Sequence, residues 1–374
     1  MKVLHVYRTY FPDTQGGLEE SIRQICLGTS RLGVHCRVLS LSRRPNPSIV
    51  ERPEADVYRY PLNAEIASCG LSLGAVSGFR ELAKWADVIH FHYPWPFADV
   101  LNLIVPHSRP TVLTYHSDIV RQRVLSYLYR PLMNRFLGGV DRIVATSPNY
   151  FATSRILARH AGKVEVIPIG LERTSYPAVS DSLLDQLRSQ VGEGFFLFIG
   201  VLRYYKGLHI LLDAMRDTDV RLVVVGAGPV ERESKAHAGR LNLDNVVFLG
   251  HVRDEEKVGL IRLSRAIIFP SYLRAEAFGL ALVEGAMYGK PLISTELGTG
   301  VNYVNIDGET GIVVSPGDPD ALRNAMERLA TDPAAAQRLG DGARARYEAL
   351  LTAERMAQSY VAIYSGLPCL YKKT

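Results

Sequence analysis

Short apolar runs recur along this chain at residues 3–7, 36–41, 88–91, 112–115, 143–146 and 164–167, each followed by a turn and a helical stretch. The runs show no clean polar–apolar alternation, the mark of parallel strands covered on both faces. Residues 17–32 read as one of the amphipathic helices, with Leu18, Ile22, Ile25 and Cys26 on one side and Gly33 as its stop. A polar, turn-rich segment at 168–191 reads as a linker, and beyond it the theme restarts at 195–199, 222–225, 246–249, 266–269, 292–294 and 312–314. Residues 318–329, 333–350 and 352–364 read as closing helices. Two alternating β/α halves imply an α/β protein of two doubly wound, Rossmann-like domains, 1–170 and 171–351, facing a central cleft. The loops after the strands are then the place to look for chemistry.

The 374 residues suffice for two cores, and 47% hydrophobic with 22% charged residues describes a globular chain. No apolar run approaches the roughly 18–20 residues of a membrane span. The opening residues 1–7 form a strand pattern, too brief an apolar run for a signal peptide. Cys26, Cys36, Cys69 and Cys369 are scattered without metal-ligand spacing, so no metal site is expected and free thiols in the cytosol are. The net charge of +5 permits contact with anionic lipid, while no basic–aromatic code or finger spacing supports nucleic acid.

The densest candidate lies at 271–299, after the apolar run 266–269. Glu276 and Glu284 bracket Phe278-Gly279-Leu280, which reads as a helix start. Free N–H groups and the positive dipole end there suit a phosphate or a ring of hydroxyls. With Glu276 before the helix and Glu284 in about its second turn, the two carboxylates could reach opposite ends of an extended polar ligand such as a sugar nucleotide. The plain alternative is two glutamates on a solvated helix, which the setting after a buried strand makes less attractive.

Gly16-Gly17 stands between the first strand and the first helix, where the backbone can approach an anion closely, although it is not a complete G-x-G-x-x-G. His116 ends a strand in Thr114-Tyr115-His116-Ser117-Asp118 and is either a ligand contact or a structural hydrogen-bonder, with Asp118 a weaker candidate. Arg203 and Lys206 sit in the turn after the second half's first strand, matched to two phosphates or to solvent. Gly226-Ala227-Gly228 is either functional or plain connection geometry. Arg121, Arg123, Arg130 and Arg135 lie among aromatic and aliphatic residues at 119–137, a basic amphipathic stretch that fits an anionic membrane surface or an ordinary wet helix face.

Together these residues resemble the retaining glycosyltransferases of family 4, which have the GT-B fold; the most specific match is Glu276-Ala-Phe-Gly-Leu-Ala-Leu-Val-Glu284 to the family's E-x₇-E. The resemblance implies that Glu276 and the N–H groups of Phe278, Gly279 and Leu280 meet the donor sugar and that Glu284 holds the nucleotide ribose. Arg203 and Lys206 would neutralise the diphosphate leaving group, Gly16-Gly17 would close over it, and His116 would contact the sugar. It further implies a last helix, within 352–374, that returns to the first domain. One departure is Gly200-Val201 where the family commonly has Gly-Arg, which leaves Arg203 the less secure of the two cations.

The mechanism implied is retention without a metal or other cofactor, with a nucleotide sugar as substrate. More closely, the opening run and Glu296-Leu-Gly-Thr-Gly-Val-Asn-Tyr-Val-Asn look like bacterial enzymes of O-antigen and lipopolysaccharide assembly, which often use GDP-mannose or GDP-rhamnose. That implies a mannosyl- or rhamnosyltransferase, peripheral at the inner face of the cytoplasmic membrane, acting on a lipid-diphosphate-linked saccharide. A UDP-sugar enzyme of the same fold and a catalytically silent sugar-nucleotide-binding module are the competing readings.

Overall fold

A computed structural model describes residues 1–67, 69–119 and 123–367. The chain forms two compact units, Met1–Gly170 with the stretch from Ala353, and Leu171–Thr352. Both are Rossmann-like α/β domains built on parallel sheets.

The first unit contains β1 (Lys2–Val6), β2 (His35–Ser42), β3 (Ile49–Glu51), β4 (Asp56–Pro61), the hairpin β5 (Ala64–Ile66) and β6 (Cys69–Leu71), β7 (Val88–Tyr93), β8 (Thr111–Tyr115), β9 (Arg142–Ala145) and β10 (Val164–Val166). Its main sheet runs β10-β9-β8-β7-β1-β2-β4-β3, with only β3 antiparallel. The winding reverses between β1 and β7, so the loops leaving these strands share the carboxyl edge where ligands of such sheets bind. β4 escaped the sequence reading because its pattern is half polar: Val57 and Arg59 are buried, and Tyr58 and Tyr60 less so. Arg59 is tolerated there because its fork meets both oxygens of Asp13 at 2.7 Å, which ties down the loop after β1.

The first helix runs Gly17–Ser30, a little shorter than its sequence pattern, and packs on the helix Ala353–Gly366. A Cβ on Gly28 would stand 2.7 Å from the Ala357 Cβ, so the glycine sets how closely the two axes approach. From that last helix Tyr360 and Tyr364 reach the sheet, with hydroxyls 2.8 Å from Thr114 Oγ1 and 2.7 Å from His90 Nδ1. Residues 368–374 of the expected 352–374 segment lie outside the described residues.

The second unit contains β11 (Phe196–Ile199), β12 (Leu222–Val225), β13 (Val246–Gly250), β14 (Ala266–Phe269), β15 (Leu292–Thr295) and β16 (Gly311–Val314), all parallel, in the order β13-β12-β11-β14-β15-β16. Phe196, Phe198, Val224, Ile268 and Ile293 form a fully buried core, each worth about 1.5–3 kcal/mol of burial. Here the winding reverses between β11 and β14. The segment expected to be a linker is only partly one: Asp181–Val191 is a helix of this unit, capped by Ser180 Oγ on the Leu183 N–H at 3.3 Å. Its buried Leu184, Leu187 and Val191 have helical spacing but are few among polar residues, which is why composition concealed it. Among the described residues no helix is long and apolar enough to cross a membrane.

Candidate active site

In the second unit the loops leaving β11 and β14 meet. After β11 the chain makes a short 3-10 turn, Tyr204–Lys206, and then Gly207 at φ 71°. A Cβ on Gly207 would lie 2.0 Å from the carbonyl oxygen of Pro270, the residue following β14, so only glycine allows the two backbones this near. The Tyr272 N–H then donates to the Tyr205 carbonyl at 3.1 Å. This seam puts Lys206 Nζ 2.5 Å from Glu276 Oε2, with both side chains nearly buried, and 4.6 Å above the Phe269 ring. Ser271 Oγ donates to the same oxygen at 3.4 Å, and Thr295 Oγ1 in turn donates to the Ser271 carbonyl.

Glu276 Oε1 makes no hydrogen bond among the described residues. Nor do the N–H groups of Phe278, Gly279 and Leu280, which stand at the start of the helix Leu280–Met287. Gly279, at φ 91°, makes the left-handed turn that opens that helix. Residues 276–280 thus carry one free acceptor oxygen and three consecutive free donors, a pattern that complements the hydroxyls of a sugar.

Glu284, in the second turn of that helix, is buried. Its Oε1 receives both Lys257 Nζ at 2.9 Å and the Tyr176 hydroxyl at 3.1 Å, which leaves Oε2 without a partner among the described residues. Lys257 and Tyr176 were missed by the sequence reading. Lys257 lies on the helix Asp254–Leu263 in an acidic turn that looks like surface, and Tyr176 lies in the stretch read as linker.

Lys206 and Glu276 are thus assembled together, the three N–H groups follow in the same loop, and Glu284 lies further along the helix they open. Arg203 is not brought into that group. Its side chain is exposed, makes no hydrogen bond or ion pair among the described residues, and lines a cavity of about 400 Å³ with Tyr204, His209, His237 and Arg240. Gly226 and Gly228 are accounted for by packing: a Cβ on either would strike the backbone of Gly200 or Leu202 within 2.4 Å.

In the first unit, Gly16 is the extended N-cap of the helix Gly17–Ser30. Glu19 folds beneath it, bonded to Thr14 Oγ1 at 3.0 Å, and Glu20 shares that first turn, so acidic side chains already complement this helix end. His116 follows β8 and is 7% exposed. Its Nε2 lies 3.0 Å from His92 Nδ1. Burial pushes its pKa down to about 3 and those of His90 and His92 well below the ordinary range, so all three are neutral near pH 7. Asp118 is a loop anchor, taking the Tyr115 hydroxyl at 2.7 Å.

His5 brings Cys26 and Cys36, or His90 and His92, into sets whose ligand-type atoms lie within 4.8 Å of one another. Each set is one donor short of a tetrahedral structural site. Of the basic stretch, Arg121 lies outside the described residues and so does the side chain of Arg123. Arg130 and Arg135 are exposed beside Tyr127 and Leu128, which are 73% and 69% exposed.

Comparison with known proteins agrees with this architecture. Residues 15–174 match the family described as Glycosyltransferase Family 4, and residues 180–346 match Glycosyl transferases group 1. The chain is 52% identical to D-rhamnosyltransferase WbpZ of Pseudomonas aeruginosa, over 94% of this chain and 93% of that one. It is 44% identical to O-antigen chain mannosyltransferase C of Escherichia coli, over 98% and 99%. Among solved structures, sucrose-phosphate synthase of Thermosynechococcus elongatus superposes with a TM-score of 0.82 at 23% identity, over 97% of this chain and 98% of that one. Alr3699/HepE of Anabaena, in complex with UDP and glucose, gives 0.79 at 22%, over 98% and 100%. These two share the GT-B fold.

Two outcomes follow from the geometry. Gly207→Ala forces a side chain into the Pro270 carbonyl from a left-handed backbone, and should cost roughly 2–4 kcal/mol in thermal or denaturant unfolding. Acid should destabilise the first unit, because His90, His92 and His116 take up protons more readily unfolded than folded. Their contribution is complete above the unfolded value near 6.5. It falls by about 1.4 kcal/mol per pH unit per imidazole as pH drops towards the folded values. Urea midpoints measured from pH 7.5 to 4.5 check this, and a flat profile below pH 6.5 would refute it.

Proposed function

The chain belongs to the family 4 glycosyltransferases, and we propose that it transfers mannose or rhamnose from a nucleoside diphosphate sugar, GDP-linked by preference, during O-antigen or related polysaccharide assembly. The relatives' names support the sugar and the setting. The observation that carries the chemistry is the Lys206–Glu276 pair, 2.5 Å long, at the switch point between β11 and β14.

In this reading Glu276 Oε1 and the N–H groups of Phe278, Gly279 and Leu280 hold the sugar hydroxyls, and Glu284 Oε2 accepts from the ribose. Lys206 has three N–H donors and spends one on Glu276, so two remain for diphosphate oxygens. Arg203, which lines the cavity with His209 and His237, is assigned no contact with the diphosphate in this reading. In the first unit, His116 is the candidate contact with the sugar.

The bond between the anomeric carbon and the phosphate oxygen breaks with its electron pair going to the departing diphosphate. The acceptor hydroxyl then attacks the same face of the sugar and gives its proton to that oxygen. Glu276 and Glu284 are each engaged by a lysine, which argues against either acting as a covalent nucleophile and favours retention through a short-lived ion pair. Fixed cations and N–H groups stabilise the leaving charge, so the reaction is assigned no metal or other cofactor. The acceptor is a lipid-diphosphate-linked saccharide at the inner face of the cytoplasmic membrane, a placement supported by Arg130 and Arg135 beside the exposed Tyr127 and Leu128.

A ligand that binds the folded state raises its apparent stability, so unfolding midpoints with GDP, UDP, ADP and their sugar conjugates test the donor. GDP and GDP-mannose should raise the midpoint. A shift confined to UDP ligands overturns the base, and no shift with any of them overturns the function. Lys206→Ala should weaken GDP by about 10- to 100-fold in calorimetric titration while leaving guanosine within about twofold. Equal losses for both would remove Lys206 from the phosphate site.

A further inference from the structure

Three imidazoles in the first unit are joined end to end. His5 Nδ1, on β1, lies 3.0 Å from His92 Nε2, on β7. His92 Nδ1 lies 3.0 Å from Nε2 of His116, just past β8. The rings follow one another edge to edge, with centroids 5.3 Å apart at both steps and planes tilted by 19° and 28°. All three residues are buried, and His116 Nδ1 makes no hydrogen bond among the described residues. His90 is not in the line: it bonds hydroxyls on both sides, Tyr364 and Thr114, and either tautomer suits it.

A neutral imidazole carries one N–H and one lone pair. His92 must therefore donate to one neighbour and accept from the other, and both hydrogen bonds run in the same direction. The free end of the line at His5 settles which. His5 Nε2 is buried with no hydrogen-bond partner. An inward-running line would strand an N–H there, whereas an outward-running line leaves only a lone pair. Orphaned buried donors are the rarer case in proteins. The Cys26 thiol, within 4.8 Å and held protonated by burial, is a weak donor that suits a lone pair.

We propose that the line runs outward: His5 and His92 carry their protons on Nδ1 and thereby fix the proton of His116 on Nδ1 as well. His5 and His92 are then positioning residues, and His116 offers an N–H donor to an oxygen of its ligand and cannot serve as a base. The role of that donor rests on the glycosyltransferase reading; the direction of the line does not.

The test is long-range ¹⁵N–¹H correlation on the full chain labelled at histidine, with signals assigned by single substitutions. His92 and His116 should both appear as the Nδ1–H tautomer, and Nε2–H at His116 would overturn the proposal whether or not the protein transfers sugar. In His92→Phe, His116 loses its donor and should revert to Nε2–H, the form free histidine prefers. The transfer kcat should fall about tenfold with the donor KM within about twofold. An unchanged His116 tautomer in that variant would refute the positioning role. Should His92→Phe not fold, the unsubstituted protein's spectrum decides alone.

Discussion

The backbone of the turn after β11 lies directly on the backbone leaving β14, and the Lys206–Glu276 arrangement of the second unit hangs on that contact. Gly207 permits it, since any side chain would occupy the place of the Pro270 carbonyl. Because β11 and β14 are neighbours only through the reversal of winding, their loops diverge elsewhere and converge here. Lys206 is consequently delivered to Glu276 by backbone geometry, and the pair need not search for one another with long flexible side chains. A nearly buried ion pair that forms this way has its ordering cost met in folding, which is the condition for electrostatic preorganisation.

The same logic is repeated along one helix. Glu276 and Glu284 each surrender one oxygen to a lysine and a hydroxyl, Lys206 with Ser271 and Lys257 with Tyr176. Each keeps its second oxygen as an acceptor. The lysine neutralises a carboxylate that would be costly to bury alone, and it also fixes which oxygen remains. Two carboxylates eight positions apart therefore each present one oriented oxygen, Glu276 ahead of the helix and Glu284 in its second turn.

Much of this was legible in the sequence, for physical reasons. Parallel strands buried on both faces leave uninterrupted apolar runs, so β1, β7, β8, β11, β12, β14 and β15 could be read directly, and with them the two-domain architecture. The Glu276–Glu284 spacing was legible because helix starts after buried strands have local signals. β4 and the helix Asp181–Val191 were not, because buried Arg59 and three scattered apolar residues break those patterns. Lys257 and Tyr176 reach Glu284 from 27 and 108 residues away, and no local pattern encodes that distance. The direction of Arg203 is likewise a matter of which side of a tight turn it leaves.

The first unit solves a different problem with similar means. Four histidines sit in or beside the interior of its sheet, and burial strongly disfavours the charged form of His90, His92 and His116. Buried imidazoles still need partners, and the fold finds them mostly among themselves: His5, His92 and His116 in a row, with His90 on Thr114 and Tyr364. Tyr364 and Tyr360 come from the helix that returns after the second unit's chain is complete, so the hydrogen bonds of the sheet's centre depend on residues at the far end of the sequence. Gly28 lets that helix approach closely enough for the two hydroxyls to reach their acceptors and donors. Enlarging Gly28 would accordingly be felt at His90 and Thr114, well inside the sheet, before any contact on the outer surface changed.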